Sequence, residues 1–464
     1  MKRKKLLSPS IATSLATVPF ISNNETFNSA KAETATPISE PVVNPYDNYV
    51  YSQAVTAYTY AYPLLVLERT RQLISYSEGD KKIIKMNRFV PQERLLTAKD
   101  RNVVAPNQDT LYSSTYLDLS MGPLVFNTPD TNGRYYSASF VDMWDNIFTT
   151  VGKRTTGTKA NEFVVVGPNW KGKTPKGVKV IKAPTSTVWL LIRTLVYPGE
   201  NQNTVYELNK KFNVKTLNGK NPVVSEPRDM FLTINPVEKL TPTQFINEYN
   251  KLIKKYPAPK DEKVLQDQFT MLGLNNPNGM SKQYEEQIKR GFDDALAAIT
   301  NKFRPKSWTY SPANQGKYGH DYFTRAVITN AGLPGLPKEE ARYTVTYGDD
   351  TQTQLNGQNK YVLHFEKGEL PDVKAFFSIT LYKMDYFFVD NSINRYSIGD
   401  QTNGIKYNHD GSLDIYIQDH APVGNESNWL PAPEDDFYLM MRLYNGGKSV
   451  LDGTYIIPAV KKVN

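Results

Sequence analysis

Apolar side chains change their spacing three times along this chain, and each change marks a different kind of element. Between residues 49 and 72, Ala54, Val55, Tyr58, Ala61, Tyr62 and Leu65 recur at helical spacing, which predicts a helix kinked or divided at Pro63. Residues 33–48 before it are polar and carry Pro37, Pro41 and Pro45, the composition of an extended leader. From Asp109 the period falls to two, with Leu111, Ser113, Thr115, Leu117 and Leu119 alternating with Tyr112, Ser114, Tyr116 and Asp118. Further strands are expected at 134–143, 162–166, 178–181 and 188–196, separated by turn sequences such as Pro129-Asp130-Thr131-Asn132-Gly133. Short strands at this spacing predict a β-sandwich.

The helical period returns after residue 201. Thr241 is placed to cap a helix with Pro242 at its first position, and Phe245, Ile246, Tyr249, Leu252, Ile253 and Tyr256 share one face. A second helix is expected over 282–302 through Tyr284, Ile288, Phe292, Ala295 and Ile299, and 304–319 reads as a linker. The period of two then resumes at 342–347, 360–365, 375–384, 412–418, 437–444 and 454–460, with tight-turn pairs at Asn403-Gly404, Asp410-Gly411 and Asn445-Gly446. No fixed-period repeat is visible. The expected fold is mainly β with a helical insertion.

Composition narrows what these elements do. The chain has 464 residues with 30 Tyr, 20 Phe and 5 Trp, enough large buriable surface to exclude disorder. The absence of Cys removes thiol nucleophiles, disulfides and iron–sulfur clusters, and 4 His make a histidine-rich metal centre hard to build. Neither a metal nor a cofactor is expected. A formal charge of +8 suggests nucleic acid until its position is considered. Met1-Lys2-Arg3-Lys4-Lys5, a mostly uncharged stretch over 6–21 and Ala30-Lys31-Ala32 follow the order of a secretory signal. Cleavage near Ala32 removes Lys2, Arg3, Lys4, Lys5, Lys31 and Glu25, leaving 50 basic and 46 acidic residues, a net +4. These are interspersed, so nucleic-acid binding loses its support. No later run approaches the ~18 apolar residues of a membrane span. The expected location is secreted or at the cell envelope, with the oligomeric state open.

One exact pattern match is set aside. Gly167-Pro168-Asn169-Trp170-Lys171-Gly172-Lys173-Thr174 fits the phosphate-binding G-x-x-x-x-G-K-[ST], but that chemistry needs a helix next. Pro175-Lys176-Gly177-Val178 begins a turn and strand instead. His320, His364, His409 and His420 all lie in the last third, and the adjacent pair His320-Asp321 would point apart on a regular element. The segment 101–116 is denser in chemistry. Asn107 and Asp109 stand at a loop-to-strand junction, where they either line a pocket rim or satisfy loop backbone. Arg134, Arg193, Arg395 and Arg442 sit among apolar or aromatic neighbours. They would clamp an anionic group or form buried pairs, with Asp118, Asp142 or Asp145 as candidate partners. The aromatic excess suits sugar platforms, but sandwich core accounts for most of it.

Longer strings carry a resemblance. Residues 49–200 contain MNRFVPQERLLTAKDRNVVAPNQDTLYSS, GRYYSASFVDMWDNIFTTVGKRTTGT, FVVVGPNWKG and APTSTVWLLIRTL, and resemble the bacterial family known as domain of unknown function 1254. Residues 318–460 contain YGHDYFTRAVITNAGL, a D-x-x-x-x-L-N-G turn, LPDVKAFFSITLYKMD, NRYSIGD, DGSLDIYIQ, NWLPAPEDDFYLMMRLYN and GTYIIPAVKK. That half resembles the companion domain of unknown function 1214. The resemblance implies an N-terminal immunoglobulin-like β-sandwich over 49–200, a helical subdomain over 201–303 and a C-terminal jelly-roll β-sandwich over 304–464. It implies no activity. Its motif residues fall on Asn107, Asp109, Thr110, Tyr112, Arg134, Tyr136, Lys153, Arg154, Thr155 and Gly157. In the second half they fall on Arg395, Tyr396, Trp429, Leu430, Pro431, Pro433 and Arg442. Pro91 stands where relatives often carry histidine, and Phe377 and Tyr455 replace expected tryptophans.

Three functions fit. The leading expectation is a polar small molecule or saccharide bound where the two β domains and the helical block meet, by Asn107, Tyr112, Arg134, Tyr136, Arg154, Arg395 and Trp429. The alternative is a hydrolase of amide, ester or glycosidic bonds with Asp109 as general acid/base. The third is a structural or interaction protein with no small-molecule site. The sequence leaves open whether the chain is an enzyme.

Overall fold

The computed structural model describes residues 44–77, 80–101, 104–301 and 303–463. The expected signal over 1–32 and most of the expected leader lie outside the described residues.

The first element, α1 (Pro45–Ile74), begins inside the expected leader. Pro45 occupies the first helical position, where a missing N–H costs nothing, and Asp47 lies in the first turn. Pro63 does not divide the helix. Residues 57–65 are buried all round, the pattern of a helix enclosed by other helices, and that packing outweighs one lost backbone bond. Two short strands follow, β1 (Tyr76–Ser77) and β2 (Asp80–Met86).

The first sandwich then runs through β3 (Val90–Pro91), β4 (Thr110–Asp118), β5 (Leu124–Thr128), β6 (Tyr136–Val141), β7 (Ile147–Gly152), β8 (Asn161–Val166), β9 (Lys179–Lys182), β10 (Thr187–Leu195), α2 (Gln202–Asn209) and β11 (Asn213–Thr216). One sheet has the order β3-β4-β10-β6-β7, the other β11-β5-β8-β9 with β8 and β9 parallel. Phe126, Phe140, Phe163, Leu190, Ile192 and Val214 share the core between them. Through β11 the sandwich continues past residue 200.

Next, β12 (Val224–Pro227) pairs with β2. Helices α3 (Met230–Ile234), α4 (Pro242–Lys255), α5 (Lys263–Phe269), α6 (Glu285–Thr300) and α7 (Tyr322–Gly332) all contact α1. The cap read from Thr241 forms in full: its hydroxyl accepts the Gln244 N–H at 3.3 Å, and the Gln244 side chain accepts the Thr241 N–H at 2.9 Å. Thr241→Ala is expected to cost about 1 kcal/mol, seen as a lower urea midpoint. An unchanged midpoint would show that the cap is idle.

The second sandwich comprises β13 (Thr309–Tyr310), β14 (Ala341–Thr346), β15 (Lys360–Phe365), β16 (Val373–Lys383), β17 (Ser397–Gly399), β18 (Leu413–Gln418), β19 (Trp429–Pro431), β20 (Phe437–Gly446), α8 (Lys448–Asp452) and β21 (Val460–Val463). Its sheets are ordered β13-β14-β20-β16-β17 and β19-β18-β15-β21. The strand expected over 454–460 does not form. Side chains hold that stretch instead, with the Tyr310 hydroxyl donating to the Tyr455 carbonyl and the Trp308 indole to that of Pro458.

Both sandwiches share one connectivity. Every strand of the first matches the strand numbered ten higher in the second, including the parallel pairs β8–β9 and β18–β19. Register agrees as well. Arg193 lies opposite Tyr112 and Ser137, and Arg442 lies opposite Tyr343 and Ser378. Gly152 opposes Ser137 as Gly399 opposes Ser378. The Val196 N–H donates to the Asp109 carbonyl at 2.9 Å, and the Asn445 N–H to the Glu340 carbonyl at 2.9 Å. Asp109 and Glu340 are therefore equivalent positions. The repeat escapes a fixed-period reading because loop lengths differ, so the separation grows from Tyr112–Tyr343 to Arg193–Arg442. One strand order serves both halves, where the resemblance gives them two sandwich names.

Candidate functional site

Alternation along two strands builds the site. On β10, Val188, Leu190 and Ile192 face the sandwich core, so Trp189, Leu191, Arg193 and Leu195 face outward. On β20, Leu439, Met441 and Leu443 face inward, leaving Tyr438, Met440, Arg442 and Tyr444 outside. These outer faces meet. Tyr135 packs edge-on against Phe376 and Tyr444, with ring centres 5.6 and 5.7 Å away, and Phe376 stacks on Tyr444 at 4.2 Å.

Asp109 lies at that junction. The Asn107 carbonyl oxygen accepts the N–H groups of Asp109 and Thr110 at 2.6 and 2.9 Å, while its amide donates to the Tyr444 hydroxyl at 2.7 Å. Asn107 thus satisfies the loop, as Asx residues do. Asp109 does something else: its carboxylate accepts the Ser378 hydroxyl at 2.7 Å, and among the described residues no backbone amide donates to it. Burial pushes the Asp109 carboxyl above the usual range, opposed by the Arg442 guanidinium and the Ser378 bond. The nearby Asp400 carboxylate raises it further, and burial lifts Asp400 as well. Arg442 donates to the Thr380 and Tyr382 hydroxyls and to the Ala105 carbonyl.

A cleft of about 370 Å³ opens beside Asp109. Residues 195–200 of the first half form one wall, and Phe376, Ser378, Arg395, Tyr396, Gly399 and residues 401–403 of the second form the other. The α3–α6 helices contribute nothing to its lining. The expected meeting of three blocks is thus a meeting of two sandwiches.

The other expected site residues divide. Arg395 lines the cleft, with one nitrogen donating to the Glu426, Ser427 and Trp429 carbonyls. Trp429 supplies that carbonyl and is 7% exposed, its indole bonded to the Gln418 carbonyl, so it braces the wall. Arg134 grips Glu200 through two bonds of 2.8 and 2.6 Å and covers the Tyr197 ring, fixing the opposite wall. Tyr112 lies under the Arg193 guanidinium. Tyr136 is a correction: it points into the first sandwich core against Phe212, because it sits one position off the outward face. Arg154 is also outside the cleft, pairing with buried Glu340 at 2.7 Å.

The acids expected to pair with arginine do not. Asp142 accepts the Trp144 and Asn146 N–H groups, Asp145 accepts the Thr329 hydroxyl, and Asp118 accepts the Ser120 N–H. Glu200 and Glu340 take their place. Ser378, Tyr444 and Gln401 were not singled out by sequence, although the alternation of β16 already puts Ser378 opposite the core residues Phe377 and Ile379. Past the phosphate-pattern match the chain makes turns and then β9, with no helix. His320 contacts Asp261 at 3.2 Å on the surface and is remote from the lining.

Comparison with known proteins fits this architecture. The family described as protein of unknown function (DUF1254) matches residues 86–216, and that described as protein of unknown function (DUF1214) matches residues 340–448. A Vibrio parahaemolyticus protein of known crystal structure is 25% identical, with a TM-score of 0.67 over 89% of this chain and 100% of its own. An uncharacterized Burkholderia cenocepacia protein of known structure is 11% identical with a TM-score of 0.42, covering 90% of this chain and 94% of its own. Among curated proteins none matches.

Proposed function

We propose that this chain, which joins the two domains of unknown function 1254 and 1214 in that order, binds a polar small molecule in the cleft between its sandwiches. The observation that carries this is Asp109: a buried carboxylate at a cleft floor, held only by side-chain hydroxyls, those of Ser378 and Tyr444, while a neighbouring Asn satisfies the backbone. A purely structural Asp would have been spent on the loop. Export to the cell envelope belongs to the same reading and rests on the basic start and the Ala30-Lys31-Ala32 site. No helix among the described residues is long and apolar enough to cross a membrane.

Calorimetry with cell-wall fragments, amino sugars and peptides tests the reading. A ligand is expected whose affinity falls at least tenfold in Asp109→Asn. A ligand unaffected by that change would remove Asp109 from the site. The hydrolase alternative draws on the Asp109–Asp400 pair, two carboxyls whose raised proton affinities suit acid catalysis. It requires turnover of chromogenic glycosides or esters that both Asp109→Asn and Asp400→Asn abolish.

A further inference from the structure

The duplicated connectivity offers an internal comparison, since each half holds one carboxylate at the same place. In both halves a glycine closes the edge strand, β7 or β17, against its neighbour, β6 or β16. A Cβ on Gly152 would lie 2.3 Å from the Tyr136 carbonyl, and one on Gly399 would lie 2.0 Å from that of Phe377. Each glycine opens a turn in which its carbonyl accepts the N–H three residues on, from Thr155 and from Thr402, at 3.0 Å in each. The Gly152 N–H donates to the Thr156 hydroxyl at 3.1 Å and the Gly399 N–H to the Thr402 hydroxyl at 2.9 Å. The residue two beyond the glycine is Arg154 in the first turn and Gln401 in the second.

Their fates differ. Arg154 crosses to Glu340 and bonds it at 2.7 Å, where the Tyr135 hydroxyl also donates at 2.9 Å. At the equivalent place Gln401 turns to Asp400 at 3.0 Å, and Phe376 replaces Tyr135 with a ring that cannot donate. Asp109 keeps the Ser378 and Tyr444 hydroxyls and, among the described residues, takes no guanidinium bond. The volume filled by a guanidinium in one half is an open cleft in the other. A second observation points the same way: the Gln108 side-chain oxygen, buried at the cleft wall, has no donor. The floor is therefore rich in acceptors and short of donors. Arg442 lies near enough to lower the Asp109 carboxyl, but its own hydrogen bonds go to Thr380, Tyr382 and Ala105 and none reaches Asp109.

We infer that the cleft takes the guanidinium or ammonium group of a small organic cation, held by Asp109 as Glu340 holds Arg154. This rests on the cleft being a ligand site and specifies the chemistry it selects.

Agmatine, N-butylurea (its neutral counterpart in shape) and N-acetylglucosamine are the probes, each titrated calorimetrically into the full chain. Agmatine is expected to bind and N-butylurea to fail. Asp109→Asn should weaken agmatine about ten- to a hundredfold. Gln401→Arg, which supplies the missing guanidinium from the chain itself, should do the same. Arg154→Ala empties the other half and should be less stable, with agmatine restoring part of its melting temperature. If that variant fails to fold, the Asp109 and Gln401 variants decide alone. Equal binding of N-butylurea, or agmatine binding unchanged in both variants, overturns the inference. Binding of N-acetylglucosamine without agmatine overturns it and leaves the ligand site standing. Silence from all three probes counts against both.

Discussion

Replacing Arg71 by methionine is expected to lower stability by about 3–5 kcal/mol, because it strands a buried carboxylate. The Arg71 side chain is 1% exposed. Its Nε and Nη2 donate to the two oxygens of Glu68 at 2.8 and 2.6 Å, and its Nη1 reaches Glu226 on β12. Glu68 also accepts the Gln72 amide at 2.8 Å and the Tyr256 hydroxyl at 3.0 Å. Burial alone would raise the Glu68 carboxyl, but the Arg71 bonds hold it below the usual range. One guanidinium thus ties α1 to the β1-β2-β12 sheet, and through Glu68 to α4. The double variant Arg71→Met/Glu68→Met should recover much of the loss, since a buried ion pair spends most of its attraction on desolvation. Urea denaturation of the three proteins checks both expectations. A loss under about 1 kcal/mol in Arg71→Met would mean that water reaches Glu68.

The second large effect depends on pH. Asp145 sits in the loop between β6 and β7 with φ of 64°, in the left-handed region. Burial pushes its carboxyl up to about 7, against the Thr329 hydroxyl bond of 2.7 Å and the Arg325 guanidinium, with Asp142 adding to the rise. An unfolded chain ionises Asp near pH 4, so between about 4 and 7 the folded protein keeps a proton that the unfolded chain has released. Stability from this group is therefore full below about pH 4 and is lost as pH rises through 7. The span corresponds to about 4 kcal/mol. Asparagine tolerates the same backbone and still accepts from Thr329. Asp145→Asn should match the parent at pH 4 and exceed it increasingly towards pH 8, by up to about 4 kcal/mol. A difference between their denaturation midpoints that stays flat with pH would show that Asp145 is ionised throughout.

Much of the fold is legible in the sequence where one physical signal acts alone. β15 over Lys360–Phe365 and the Thr241–Pro242 helix start are such places, since alternation and capping are local properties. β7 (Ile147–Gly152) is hidden because Thr149, Thr150 and Gly152 break its apolar pattern. The end of the leader and the course of α1 through Pro63 are decided by helices more than 150 residues away, which no local window samples. The site divides in the same way. Asp109 and Arg395 can be singled out from their neighbours, whereas Ser378 gains meaning only from the strand that Asp109 meets. Tyr136 shows the opposite failure: a conspicuous aromatic one position out of phase belongs to the core.

The enclosure of α1 also sets an order in time. It is the first described element to leave the ribosome, yet α6 and α7, which cover it, end at Thr300 and Gly332. Synthesis at roughly 5–20 residues per second leaves Tyr58, Tyr62, Leu64 and Leu65 without those partners for on the order of tens of seconds. Every fragment that stops before Gly332 is therefore expected to expose apolar side chains of α1 that the complete fold buries, and to need a holding chaperone to stay dispersed.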